Sequence, residues 1–145
     1  MYMDRFREFS SLISRTEKAL QKAKAEYVRG YGLRGVHVSC LLALYERPEG
    51  LPATELASVC GVDRAQVSRV VSELTEMGLI SGEAGGQRRR YRSPLLLSDE
   101  GREAASQMAG IVSEKLRSVS GDIPEDDLAV FYRVLRLIAE RLEGI

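Results

Sequence analysis

The stretch Ala53-Thr54-Glu55-Leu56-Ala57-Ser58-Val59-Cys60-Gly61-Val62-Asp63-Arg64-Ala65-Gln66-Val67-Ser68-Arg69-Val70-Val71-Ser72-Glu73-Leu74 decides the fold. Ala57 is small and Gly61 follows four residues later; Val67 and Val70 stand six and nine residues past that glycine. The small residue lets two helices approach closely, the glycine permits a tight turn, and the valines lock the second helix onto the first. This is the steric pattern of a helix-turn-helix. Asp63 is placed to cap the second helix, with Gln66 three residues later at capping-box spacing. Val67, Val70, Val71 and Leu74 fall on its inward face, and the helix is expected to end at Gly78.

Upstream, Phe6, Phe9, Leu12, Ile13, Leu20, Ala23 and Tyr27 recur at helical spacing and predict one long helix over 4–30, stopped by Gly30-Tyr31-Gly32. A second helix runs through Val36, Val38, Leu41, Leu42, Leu44 and Tyr45 and stops at Arg47-Pro48-Glu49-Gly50. The helix-turn-helix begins with a third helix from Ala53 to about Val59. Downstream, Leu79–Glu83 and Arg88–Leu97 read as two strands around the loop tip Ala84-Gly85-Gly86-Gln87, with Pro94 confined to an edge or a bulge. Ser98 caps the next helix, whose apolar stripe reads Ala104, Met108, Ile111, Val112, Leu116 and Val119. A last helix follows Pro124. The expected fold is mainly α with a small β-hairpin wing. It divides into an N-terminal dimerisation helix (1–33), a winged helix-turn-helix (34–97) and C-terminal dimerisation helices (98–145).

The chain has 145 residues, of which 44% are hydrophobic, enough for one core. No apolar run approaches a membrane span and Met1-Tyr2-Met3-Asp4-Arg5-Phe6 lacks a secretory core, so a cytoplasmic location without membrane contact is expected. Net charge is +0, which argues against a generic polyanion binder, but from Arg64 to Arg92 there are six arginines against three glutamates. For phosphate binding a local patch outweighs total charge.

Geometry then assigns roles. Arg64, Ala65, Gln66, Ser68 and Arg69 lie on the outward face near the N-terminus of the second helix. Arginine can pair bidentately with guanine and glutamine with adenine, and Ser68 can bind phosphate. Gln66 reads equally as a cap alone. Arg88, Arg89, Arg90 and Arg92 stand on the wing, where arginine can enter a narrow minor groove. The same cluster also reads as a charged edge that blocks sheet pairing.

Thr54-Glu55-Leu56-Ala57, Gly61-Val62-Asp63-Arg64, Val67-Ser68-Arg69-Val70-Val71, Gly78-Leu79-Ile80 and Leu97-Ser98-Asp99-Glu100-Gly101 together resemble the MarR family of bacterial regulators. The resemblance covers nearly the whole chain. It implies a homodimeric regulator, a repressor more often than an activator, that binds double-stranded DNA at a palindromic site. It also implies a small aromatic or phenolic ligand near Tyr27, Tyr31, His37 and Cys40, where simple helix packing is the competing reading. The family commonly has an acidic residue at the wing; here Gly86-Gln87 is followed by basic residues.

The dimer interface is expected at Phe6, Phe9, Leu12 and Ile13 of the first helix and at Leu128, Phe131, Leu135, Ile138 and Leu142 of the last. That last helix carries a second apolar line, Val130, Val134 and Leu137, and two stripes imply burial on two sides. No catalytic residue, metal or cofactor is expected: His37 is the lone histidine, and His37, Cys40 and Cys60 are too few ligands for zinc without carboxylates. Asp126 and Asp127 are explained as helix-start residues. Two alternatives remain, a winged helix that binds only proteins and a redox-responsive regulator using Cys40. Both cysteines also read as small buried hydrophobes.

Overall fold

The computed structural model describes residues 1–28, 32–81 and 93–145. These residues form six helices: α1 (Tyr2–Tyr27), α2 (Gly35–Tyr45), α3 (Ala53–Cys60), α4 (Arg64–Glu76), α5 (Asp99–Ser120) and α6 (Glu125–Glu143). The chain divides into two compact units, Met1–Ile111 and Val112–Ile145.

In the first unit α2 is the centre. It is apolar nearly all round, which suits a helix covered on several sides, and His37, Val38, Cys40, Leu41, Ala43 and Leu44 are buried. It packs against α1, α3 and α4. α3 contributes Leu56 and Ala57 to the core, and α4 contributes Val67, Val70, Val71 and Leu74. These are the four inward residues expected from the spacing.

The turn between α3 and α4 depends on Gly61, which sits in the left-handed region at φ +67°. A Cβ there would meet no atom within 4 Å, so glycine is needed for the backbone angle and not for space. The turn satisfies the end of α3, because Gly61 N–H donates to Ser58 O (3.2 Å) and Val62 N–H to Ala57 O (3.0 Å). The Asp63 carboxylate then accepts from Gln66 N–H at 2.8 Å and starts α4.

Among the described residues neither expected strand of the wing forms; two isolated antiparallel bridges join Ile80 with Leu97 and Leu51 with Leu95. Leu95 and Leu97 are buried and Leu96 is exposed, the alternation of a half-buried strand. Pro94 lies beside this ladder, exposed. The pairing of Leu51 is an addition to the expected hairpin: the segment after α2 brackets 93–97 on its second side. Residues 82–92, which hold the expected tip, lie outside the described residues.

Two boundaries differ from expectation. α1 ends at Tyr27, and buried Val28 takes its C-cap position. In α5 the buried residues are Gly101, Ala105 and Met108, with Ala104 half-buried, while Ile111, Leu116 and Val119 are exposed. The expected stripe follows helical period along the whole helix, but the core it can reach ends with the first unit at Ile111. Ser98 caps α5 as expected: its Oγ accepts from Gly101 N–H at 3.0 Å and donates to Gly78 O.

In the second unit α6 has no fully buried residue. Leu128, Leu135 and Ile138 are half-buried, whereas Phe131, Val130, Val134, Leu137 and Leu142 are exposed. The Phe131 and Tyr132 rings meet edge-on, centroids 5.1 Å apart.

Candidate nucleic-acid interface

With its four apolar residues turned inward, α4 presents Arg64, Ala65, Ser68 and Arg69 to solvent, and Gln66 half-buried. The Gln66 backbone is spent on the Asp63 cap. Asp63 caps the helix and Arg64 is its first residue, so Arg64 stands at the positive end of the helix dipole.

A groove of about 650 Å³ runs along this face. Its walls are Ala53 and Thr54 at the start of α3, then Arg64, Val67, Ser68, Val71, Ser72, Thr75 and Glu76 of α4, and Ser93 beside the ladder. Thr75 Oγ1 is occupied, since it donates to Val71 O at 2.7 Å. The sequence assigns no contact role to Thr54, Ser72 or Ser93; small hydroxyls carry no periodic signal. They line the groove next to Arg64 and Ser68, where phosphate oxygens are commonly met by Ser and Thr hydroxyls.

Behind this face α4 is anchored to α2. Arg34 Nη2 donates to both Glu73 oxygens, at 2.7 and 2.8 Å, and His37 Nε2 lies 3.1 Å from Glu73 Oε2. The Arg34 guanidinium beside Glu73 holds its carboxyl below the usual range. Burial is the main cause that lowers His37. The second ring nitrogen, Nδ1, accepts from Arg34 N–H at 2.8 Å.

Of the ligand residues expected from the resemblance, His37 and Cys40 are both closed to solvent within the chain. His37 engages Arg34 and Glu73, and Cys40 faces Cys60 across 3.7 Å. Tyr27 is half-buried, and Tyr31 lies outside the described residues. So do Arg88, Arg89, Arg90 and Arg92. Phe6, Leu12 and Ile13 are exposed and Phe9 is half-buried. Among the described residues no group of three or more His, Cys, Asp or Glu could hold a metal ion. No described helix is long and apolar enough to cross a membrane.

Residues 31–90 match the model of the MarR family. No curated protein matches the chain. Among solved structures, CouR from Rhodococcus jostii RHA1 bound to p-coumaroyl-CoA is 25% identical, with 90% of this chain and 91% of that one covered and a TM-score of 0.77. A MarR/EmrR family transcriptional regulator from Acinetobacter sp. ADP1 is 16% identical, with coverages of 96% and 97% and a TM-score of 0.80. The Mycobacterium tuberculosis MarR family protein Rv2887 in complex with salicylic acid is 23% identical, with coverages of 88% and 94% and a TM-score of 0.60.

Proposed function

We propose, from the match of residues 31–90 to the MarR family model, that the chain is a DNA-binding transcriptional regulator, a repressor that occupies a palindromic operator as a homodimer. The observation that carries this reading is α4. Its apolar side is sealed into the core through Val67, Val70, Val71 and Leu74, and its outward side offers Arg64, Ala65, Ser68 and Arg69. A helix so mounted fits the major groove with its N-terminal residues against base edges.

In this reading residues 34–97 form the reading head, with Gln66 beside the base-contacting residues and Arg88, Arg89, Arg90 and Arg92 on the wing. Residues 1–33 and 98–145 supply the dimer contacts. A small aromatic or phenolic ligand near Tyr27, Tyr31, His37 and Cys40 modulates DNA binding. The hydroxyaromatic acyl group named for CouR and the salicylic acid named for Rv2887 support that ligand class. The function needs no cofactor and no catalytic step.

Selection from random duplex DNA tests the proposal. Two recognition helices related by a two-fold axis return half-sites centred about 10–10.5 bp apart or a multiple of that. Recovery of no enriched site, or only of asymmetric ones, overturns it.

A further inference from the structure

Cys40 and Cys60 are separated by 20 positions in the chain, yet their sulfurs lie 3.7 Å apart. Cys40 is in the middle of α2 and wholly buried, while Cys60 is the last residue of α3 and half-buried. Both are free thiols. The contact is within S–H···S reach, and the two sulfurs must approach to about 2.05 Å to make a bond. We infer that Cys40 and Cys60 form a thiol pair that hydroperoxides oxidise to an intramolecular disulfide, linking α2 to the last residue before the turn of the helix-turn-helix.

The two thiols are unequal in the way such a reaction needs. Cys60 is the one an oxidant can reach. The hydrogen bond with Cys40 favours its ionisation, the charge of Lys24 adds to this, and burial opposes it. The Cys40 thiol is pushed up by the same hydrogen bond and by burial, so it keeps its proton. Cys60 is therefore the attacking sulfur and Cys40 the resolving one.

The chemistry balances with a hydroperoxide as the only co-reactant. The Cys60 thiolate attacks the distal peroxide oxygen and the O–O bond breaks. The other oxygen leaves, takes a proton and becomes an alcohol or water, leaving Cys60 as a sulfenic acid. The Cys40 thiol then gives up its proton, its sulfur attacks the Cys60 sulfur, and the S–O bond breaks with release of water. Two thiols lose two electrons and two protons, and the peroxide receives them.

Closing the bond draws Cys60 toward α2. Gly61, Val62 and Asp63 follow directly, and they set where α4 begins. On the proposed DNA-binding reading, oxidation therefore displaces the reading helix and releases the operator.

The test uses the full chain with hydrogen peroxide. After denaturing alkylation, the reduced protein should take up two alkyl groups and the oxidised protein none. Peptide mapping should find Cys40 joined to Cys60 within one chain. Cys40→Ser should stop at a sulfenic acid on Cys60 that dimedone captures, and Cys60→Ser should leave Cys40 unlabelled. Two thiols still alkylated after excess peroxide, a cross-link between chains, or dimedone on Cys40 in Cys60→Ser overturns the pair. Operator binding should be lost on oxidation and restored by dithiothreitol; binding equal in both states overturns the regulatory step. The mapping does not involve DNA, so a chain that forms the disulfide yet binds no DNA in either state counts against the proposed function alone.

Discussion

Glu73 of α4 holds the buried imidazole of His37 on α2, with Nε2 3.1 Å from Oε2 across 36 positions of sequence. His37 also accepts the Arg34 backbone N–H on Nδ1 at 2.8 Å. A nitrogen that accepts carries no proton, so the neutral ring has its proton on Nε2 and donates it to Glu73. The Arg34 guanidinium closes the ring of contacts from outside, with its side chain 60% exposed. An ion pair so exposed contributes little by itself. The buried imidazole is what ties the middle of α4 to α2.

The pair predicts a pH dependence of stability. His37 is held below its ordinary value of 6.5, chiefly by burial, with the Glu73 contacts opposing and the Arg34 charge adding. A second ring proton would also point at the Arg34 N–H. Below pH 6.5 the unfolded chain takes up a proton that the folded chain refuses, so stability is full above 6.5 and falls as pH drops toward the folded-state value. Glu73 is lowered from 4.5, so its own loss begins only below that. His37→Asn keeps an acceptor near the Arg34 amide but removes the titration and the bond to Glu73. Urea unfolding should show the parent losing stability from about pH 7 to about pH 5, across the ordinary histidine value. The variant should be flat there and about 1–3 kcal/mol less stable at neutral pH. A parent without a slope contradicts the assignment.

Two glycines of α5 should respond in opposite directions. A Cβ on Gly101 would stand 1.9 Å from the Leu79 carbonyl oxygen. Gly101→Ala must push the start of α5 away from the segment that carries Ile80, at a cost of about 1–3 kcal/mol or more. Gly110 has nothing within 4 Å of the same added atom. Gly110→Ala should stabilise by about 0.5–1 kcal/mol, the ordinary gain for a helix interior. Denaturant midpoints of the two variants check this, and equal shifts in one direction would contradict the close approach at Gly101.

Features that depend on a few adjacent residues were legible in the sequence. The Gly61 turn, the Asp63 and Ser98 caps and the burial of Val67, Val70, Val71 and Leu74 are all set by local spacing. Contacts between distant segments were not. Nothing local to Leu51 announces its bridge to Leu95, and neither Glu73 nor His37 signals the other. Cys40 and Cys60 read separately as buried apolar side chains, although they face one another. Periodicity also gives the direction of a helix face without the extent of what covers it. That is why the α5 stripe was drawn through Val119 while burial stops at Met108.

Substitutions on the reading face should separate base contacts from phosphate contacts. Arg64→Ala and Arg69→Ala remove exposed guanidinium groups from the outward side of α4, and each should weaken specific binding by about 1–3 kcal/mol and relax sequence preference. Removing Arg88, Arg89 or Arg90 should weaken binding across sequences and lower the salt slope by about one per phosphate contact. Titrations of a selected operator and a scrambled duplex at several salt concentrations measure both. Parent-like binding by all five variants would contradict the assignment of the reading head.

The dimer can be tested on α6. Phe131 is 53% exposed and Leu142 55% exposed within the single chain, and Leu128, Leu135 and Ile138 are only half-buried beside them. On α1, Phe6 is 61% exposed and no residue is buried. Apolar surface left exposed along a helix is costly in water, and each of these faces is a candidate for association. In the proposed homodimer a second copy of the chain would cover these faces with the same residues on both sides, as two-fold symmetry requires. An interface formed from whole helices belongs to the large, apolar, obligate class. Phe131→Glu and Leu135→Glu should each place a charge in that interface. Sedimentation should then show the chain near 16.1 kDa, and operator binding should be lost, because one reading head makes half the contacts. Circular dichroism on the same samples shows whether the helices persist. A clean monomer for the unmodified chain at low micromolar concentration would rule the dimer out.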